Sequence, residues 1–108
     1  MIIQPDLAMP KEAAAKVAME NPNSPDRPIR VDADKYGAMR EAILAVLPAQ
    51  APGMTVAELK AGLLPLLPET LFPGGAKAGW WLKGVQLDLE AKGLIAREPT
   101  KPLRLHRV

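Results

Sequence analysis

The sequence predicts a mainly α-helical domain with a small C-terminal β-hairpin, preceded by a proline-rich arm. Apolar residues make up 48% of the 108 residues, but the aromatic ones are only Tyr36, Phe72, Trp80 and Trp81. Leu, Ala, Val and Met must therefore fill the interior, a composition that favours packed helices over a β-sandwich. Helical periodicity begins after Asp34, and two short strand-like runs follow Gly93 around the turn-forming tetrad Glu98-Pro99-Thr100-Lys101. A chain of this length supports one core and buries roughly 60 to 70% of its unfolded surface.

Residues 1–33 read as the arm, because prolines at 5, 10, 22, 25 and 28 remove backbone donors and interrupt any long period. An Ala-rich stretch predicts a short helix over Lys11–Glu20, and the alternation of Ile29 and Val31 with Arg30 and Asp32 predicts an edge strand. Residues 34–108 read as the domain proper. Its first helix places Tyr36, Met39, Ile43, Val46 and Leu47 on one face, with Asp34 as the expected N-cap and Pro48 as the stop. Thr55-Val56-Ala57-Glu58 spells a capping box, with Met54 and Leu59 at the positions of a hydrophobic staple, so a second helix starts at Val56 and runs to about Leu64. Pro65, Pro68 and Pro73-Gly74-Gly75 then break the chain. A third helix is expected from about Lys77 to Lys92, with Gly93 as its left-handed exit, followed by strands over Leu94–Arg97 and Leu103–Arg107.

Charge and composition exclude several function classes. The net charge is +2, but it is unevenly spread. In residues 74–108, Lys77, Lys83, Lys92, Arg97, Lys101, Arg104 and Arg107 oppose only Asp88, Glu90 and Glu98, a balance of +4, whereas residues 1–34 carry −2. There is no cysteine, which rules out disulfides and thiolate metal sites and suits a reducing cytoplasm. Met1–Pro10 contains neither a basic residue nor a signal-length apolar run, and no segment is long enough for a membrane span. The expectation is a cytoplasmic protein with no membrane partner. His106, the sole histidine, sits two residues from the terminus, and Ser24, the sole serine, falls in the proline-rich arm, so no nucleophile–base pair is proposed. Asp88 and Glu90, two apart on a helix, diverge. No enzymatic role, cofactor or metal is expected.

The order helix, turn, capped helix, helix, Gly, strand, turn, basic strand resembles the winged helix-turn-helix superfamily, whose third helix ordinarily enters the major groove. The segment Leu89-Glu90-Ala91-Lys92-Gly93-Leu94-Ile95-Ala96-Arg97 is similar to the junction of recognition helix and first wing strand in bacterial regulators of that superfamily. The proline-rich connection before the third helix is longer than a tight helix-turn-helix turn. The string from Phe72-Pro73-Gly74-Gly75 through Gly79-Trp80-Trp81 to Val85-Gln86-Leu87-Asp88-Leu89 further resembles a family of small bacterial proteins of uncharacterised function, which lends the chain no activity.

On a helical wheel, Ala78, Trp81, Leu82, Val85 and Leu89 of the third helix share the core face. Gly79, Lys83, Gln86 and Glu90 form a polar stripe, and Trp80, Gly84, Leu87 and Ala91 a second apolar one. Lys83 and Gln86 are residue types that read guanine and adenine edges; the same pair also suits an ordinary solvated face. Arg97, Lys101, Arg104 and Arg107 lie on or beside the hairpin, where a wing would meet phosphates, and Lys77 stands at the helix start beside free backbone amides. Two function classes follow: a winged helix that binds duplex DNA, as a transcriptional regulator would, or a protein interaction or dimerisation module in which Trp80 and Leu87 meet a protein partner or a second copy.

Overall fold

A computed structural model describes residues 16–23, 26 and 28–108, which form three helices and two small antiparallel sheets. The chain enters through a hairpin of β1 (Lys16–Met19) and β2 (Ile29–Asp32), with Val17 opposite Val31 and Met19 opposite Ile29. The strand expected at Ile29–Asp32 is present. The helix expected over Lys11–Glu20 is not: Lys16–Met19 is extended, while residues 11–15 lie outside the described part. Cross-strand pairing outweighs the helix propensity of the alanines here, as tertiary context commonly does. Met19 and Val31 are both buried in the main core, so the boundary read at residue 33 does not separate an arm from the packed body.

Helix α1 (Ala33–Val46) follows β2 without a loop, and its N-cap is Asp32 rather than Asp34. The Asp32 carboxylate accepts from the backbone N–H of Asp34 (2.9 Å) and of Lys35 (3.0 Å), satisfying two donors that the helix itself leaves unpaired. Met39, Ala42, Ile43 and Leu47 turn inward, and Pro48 follows the last turn. After a loop, β3 (Met54–Thr55) leads into α2 (Val56–Leu63). The capping box is formed: Thr55 Oγ1 accepts from Glu58 N (3.2 Å) and Glu58 Oε1 accepts from Thr55 N (2.9 Å). Those bonds hold the Glu58 carboxyl below its ordinary pKa. Leu59 and Leu63, one turn apart, are fully buried.

Two single 3₁₀ turns, Leu64–Leu66 and Pro73–Gly75, carry the proline-rich connection. Phe72 between them plugs the core and meets Trp81 edge-on, with ring centroids 6.3 Å apart. Helix α3 (Ala78–Ala91) ends in a Schellman motif: Gly93 is left-handed (φ 75°), Gly93 N donates to Glu90 O, and Leu94 N to Leu89 O. The chain then forms β4 (Ile95–Glu98) and β5 (Arg104–Arg107).

The second sheet has the order β3-β5-β4, with Met54 opposite Leu105 and Arg97 opposite Leu105 on the other side. The pairing of β3, a strand of two residues, has no counterpart in the sequence reading. Gly53 permits the approach: a Cβ there would stand 1.9 Å from the Leu105 carbonyl oxygen, and its φ of +89° disfavours other residues as well. Among the described residues, no helix is long and apolar enough to cross a membrane.

Candidate nucleic-acid interface on helix α3

Helix α3 is covered on two sides, and the covering redistributes the residues expected to make contacts. Its core face meets α1 and the sheet. The β1–β2 hairpin lies over the opposite side, where Gly84 leaves a notch for Met19: a Cβ at Gly84 would come within 2.4 Å of the Met19 methyl. Leu87, only 8% exposed, lies between two clefts, one walled by Met19, Glu20 and Asn21 and the other by Pro22 and Asn23. The second apolar stripe is thus occupied in its middle by this chain's own hairpin. Its N-terminal end remains open, because Trp80 is 54% exposed while neighbouring Trp81 is buried.

The polar stripe is also changed. Gln86 is 2% exposed, and its amide donates to Glu90 Oε2 at 2.9 Å. Glu90 accepts a bidentate pair from Arg97, through Nε at 2.7 Å and Nη2 at 3.0 Å. Gln86, Glu90 and Arg97 therefore form one chain of bonds tying α3 to β4. Gln86 is withdrawn from the solvated face on which it was placed, and the charge of Arg97 is matched. Burial alone would raise the Glu90 carboxyl, but the bonds from Arg97 and Gln86 outweigh it and hold the group below its ordinary value. The same Glu90 bond holds the Arg97 guanidinium above its own.

Asp88 is the polar residue that the sequence reading left without a role. It is fully buried and receives three donors from three places: Glu20 N at 2.8 Å, the Tyr36 hydroxyl, and Lys92 Nζ at 2.7 and 2.9 Å. It fastens the end of β1, the first turn of α1 and the last turn of α3 to one carboxylate. Burial and the bond to Asp88 push the Tyr36 hydroxyl above pKa 10.0. Burial pulls the Lys92 ammonium down, and its bonds to Asp88 and Tyr36 more than restore it. Two signals pointed to this: a lone acid between Leu87 and Leu89, and a lysine four residues later, the favourable order for a helical ion pair.

The remaining expected residues separate into two arginines bonded to backbone carbonyls and three lysines without such bonds among the described contacts. Arg104 Nη1 donates to the Gly53 carbonyl (3.1 Å) and lies 3.7 Å from Glu58; Arg107 Nε donates to the Leu47 carbonyl (2.9 Å). Lys77, Lys83 and Lys101 are exposed, and none forms an ion pair with a described carboxylate. Lys77 is the N-cap residue of α3 in a left-handed conformation (φ 58°), Lys83 lies in the second turn of the helix, and Lys101 is in the hairpin loop. His106 on β5 faces Glu98 at 2.9 Å, and its contacts with the Arg107 carbonyl and with Glu98 raise its pKa above 6.5. Among the described residues, no three His, Asp or Glu side chains are grouped to hold a metal ion, and Ser24 lies outside that part.

A family model matches residues 16–105. The chain belongs to the family of unknown function DUF6958. The DUF6958 match starts at the first residue of β1 and ends within β5, so it takes in the hairpin that covers α3, all three helices and β4. No curated protein and no solved structure matches the chain.

Proposed function

We propose that this domain is a non-enzymatic, cytoplasmic winged helix that binds duplex DNA through phosphate contacts rather than by close reading of bases. Support for the winged-helix reading comes from the order α1-β3-α2-α3-β4-β5 and the sheet order β3-β5-β4, in which a two-stranded hairpin follows the third helix as a wing would. The observation that carries the binding reading is the set of unmatched lysines. Lys77 immediately precedes α3 and Lys83 is on its N-terminal half, the half that recognition helices direct at DNA, and Lys101 is in the wing loop. Lys92 and Arg97, by contrast, are matched to Asp88 and Glu90. Point charges on flexible stems suit phosphate, which gives affinity without sequence information. With Gln86 buried, discrimination between sequences is expected to be small.

The test is fluorescence anisotropy on a labelled mixed-sequence duplex at low salt. Replacing Lys77, Lys83 and Lys101 together with Gln should abolish binding while the fold is retained. Absence of binding by folded wild-type protein overturns the reading. One observation favours the alternative of a protein interaction module: Trp80 and Ile29, 54% and 47% exposed, flank a cleft of about 200 Å³ floored by Leu87. Sedimentation of the same samples distinguishes a self-association module, which would be dimeric and lose that state on Trp80→Glu.

A further inference from the structure

A different cleft, of about 470 Å³, opens at the N-terminal end of α3 and is lined by Lys35, Lys77, Trp80 and Trp81. The two indoles meet edge to face, with ring centroids 5.1 Å apart; Trp81 is buried and fixed against Phe72, and this leaves Trp80 as a supported, half-exposed ring. Lysines come to it from two elements, Lys35 from the first turn of α1 and Lys77 from the residue before α3. A third ammonium adjoins, since a Cβ built on Gly79 would stand 3.5 Å from Lys60 Nζ. Among the described residues no carboxylate lines the cleft, and the first turn of α3 contains no acidic residue. Lys35, Lys60 and Lys77 form no ion pair with any described carboxylate.

From this arrangement we infer that the cleft binds a single nucleotide, its phosphate held between Lys35 and Lys77 and its base stacked on Trp80. A phosphate monoester carries close to two negative charges at neutral pH and so matches two ammonium groups, whereas an aromatic carboxylate would leave one of them unmatched. A base offers a flat π-face of any identity to an indole, and stacking of this kind tolerates sequence. A cleft of this volume falls within the range of small-molecule sites. The cleft shares Lys77 with the proposed duplex face but takes in neither Lys83 nor Lys101, so mononucleotide probes test it apart from the duplex.

The test uses thymidine monophosphate, thymidine, inorganic phosphate and benzoate, each titrated into the full chain and followed by the two tryptophan indole N–H signals in heteronuclear NMR. Thymidine monophosphate should bind at least about tenfold more tightly than phosphate alone, an advantage of about 1.4 kcal/mol, and should shift the Trp80 signal most. Lys77→Gly together with Lys35→Gln should reduce its affinity to that of thymidine, and Trp80→Leu should reduce it to that of phosphate. Equal binding of phosphate and thymidine monophosphate, or equal binding of benzoate, overturns the assignment. Oligo-dT in a further arm separates a free nucleotide from one within a strand: a gain no larger than its number of units assigns the site to the single nucleotide. A protein that binds duplex but none of these probes refutes this inference alone.

Discussion

Removing the Asp88 carboxylate should release the β1–β2 hairpin before it unfolds the helices. The carboxylate is fully buried and bonded to Glu20 N, the Tyr36 hydroxyl and Lys92 Nζ. A hydrogen bond to a charged group contributes about 1.5–3 kcal/mol. The Lys92 side chain is 36% exposed, so solvent recovers most of its charge and its share falls toward the 0–1 kcal/mol typical of about any surface pair. In Asp88→Asn the shape persists and one carbonyl oxygen can still accept, which leaves an expected loss of about 2–3 kcal/mol. Asp88→Ala strands all three donors and should cost about 3–5 kcal/mol. Urea unfolding gives the total, and hydrogen exchange locates it: protection of the Glu20 amide and of the strand amides should fall well before that of α1 or α3. An Asp88→Asn protein within about 0.5 kcal/mol of wild type, or one whose Glu20 amide stays protected, would refute the view that this carboxylate fastens the hairpin.

Three further outcomes follow from the same geometry. Leu87→Glu puts a charge beneath the hairpin and should cost about 2–4 kcal/mol without changing the mass in solution; a fully stable variant that loses a wild-type dimer would instead show that a second copy covers Leu87. Lys77→Gly removes a side chain from a left-handed position and should raise stability by about 0.5–1 kcal/mol, measured by the urea midpoint; a loss of that size would show that the Lys77 conformation is not strained. Tyr36 and Lys92 both have raised folded-state pKa values, so each contributes stability that is complete below its unfolded value, 10.0 or 10.5, and is lost as pH rises through the folded value. Thermal midpoints should therefore fall above about pH 10, less steeply in Tyr36→Phe, and a flat alkaline limb would contradict the Asp88 arrangement.

The helical frame was legible because each helix carries its own local signals. The Thr55 capping box, the Gly93 exit and the inward stripe of Ala78, Trp81, Leu82, Val85 and Leu89 all depend on residues within one turn or one wheel, and all are present. Contacts made across long sequence separations were not legible. Lys16–Met19 reads as helix until it is paired with Ile29–Asp32, and the two residues of β3 are too few to show a period. The candidate site shifted for the same reason. Gln86 looks solvated on a wheel, yet it is buried and bonded to Glu90, which in turn reaches Arg97 on β4. Of the expected cations, the sequence identified which residues are basic but not which have partners. Lys77, Lys83 and Lys101 form no ion pair with a described carboxylate, although Glu90 is near enough to Lys83 to feel its charge, and this is a property of the fold rather than of their spacing.

The dependence of duplex affinity on salt tests the proposed function most directly. Each neutralised phosphate contributes about −0.9 to the slope of log K against log salt on B-form DNA, so contacts from Lys77, Lys83 and Lys101 should give a slope of about −2.7. Substituting any one of the three with Gln should flatten it by about one contact's share, equally for every duplex sequence. A folded wild-type protein that shows no duplex affinity at low salt, or a slope unaffected by all three substitutions, would contradict the account.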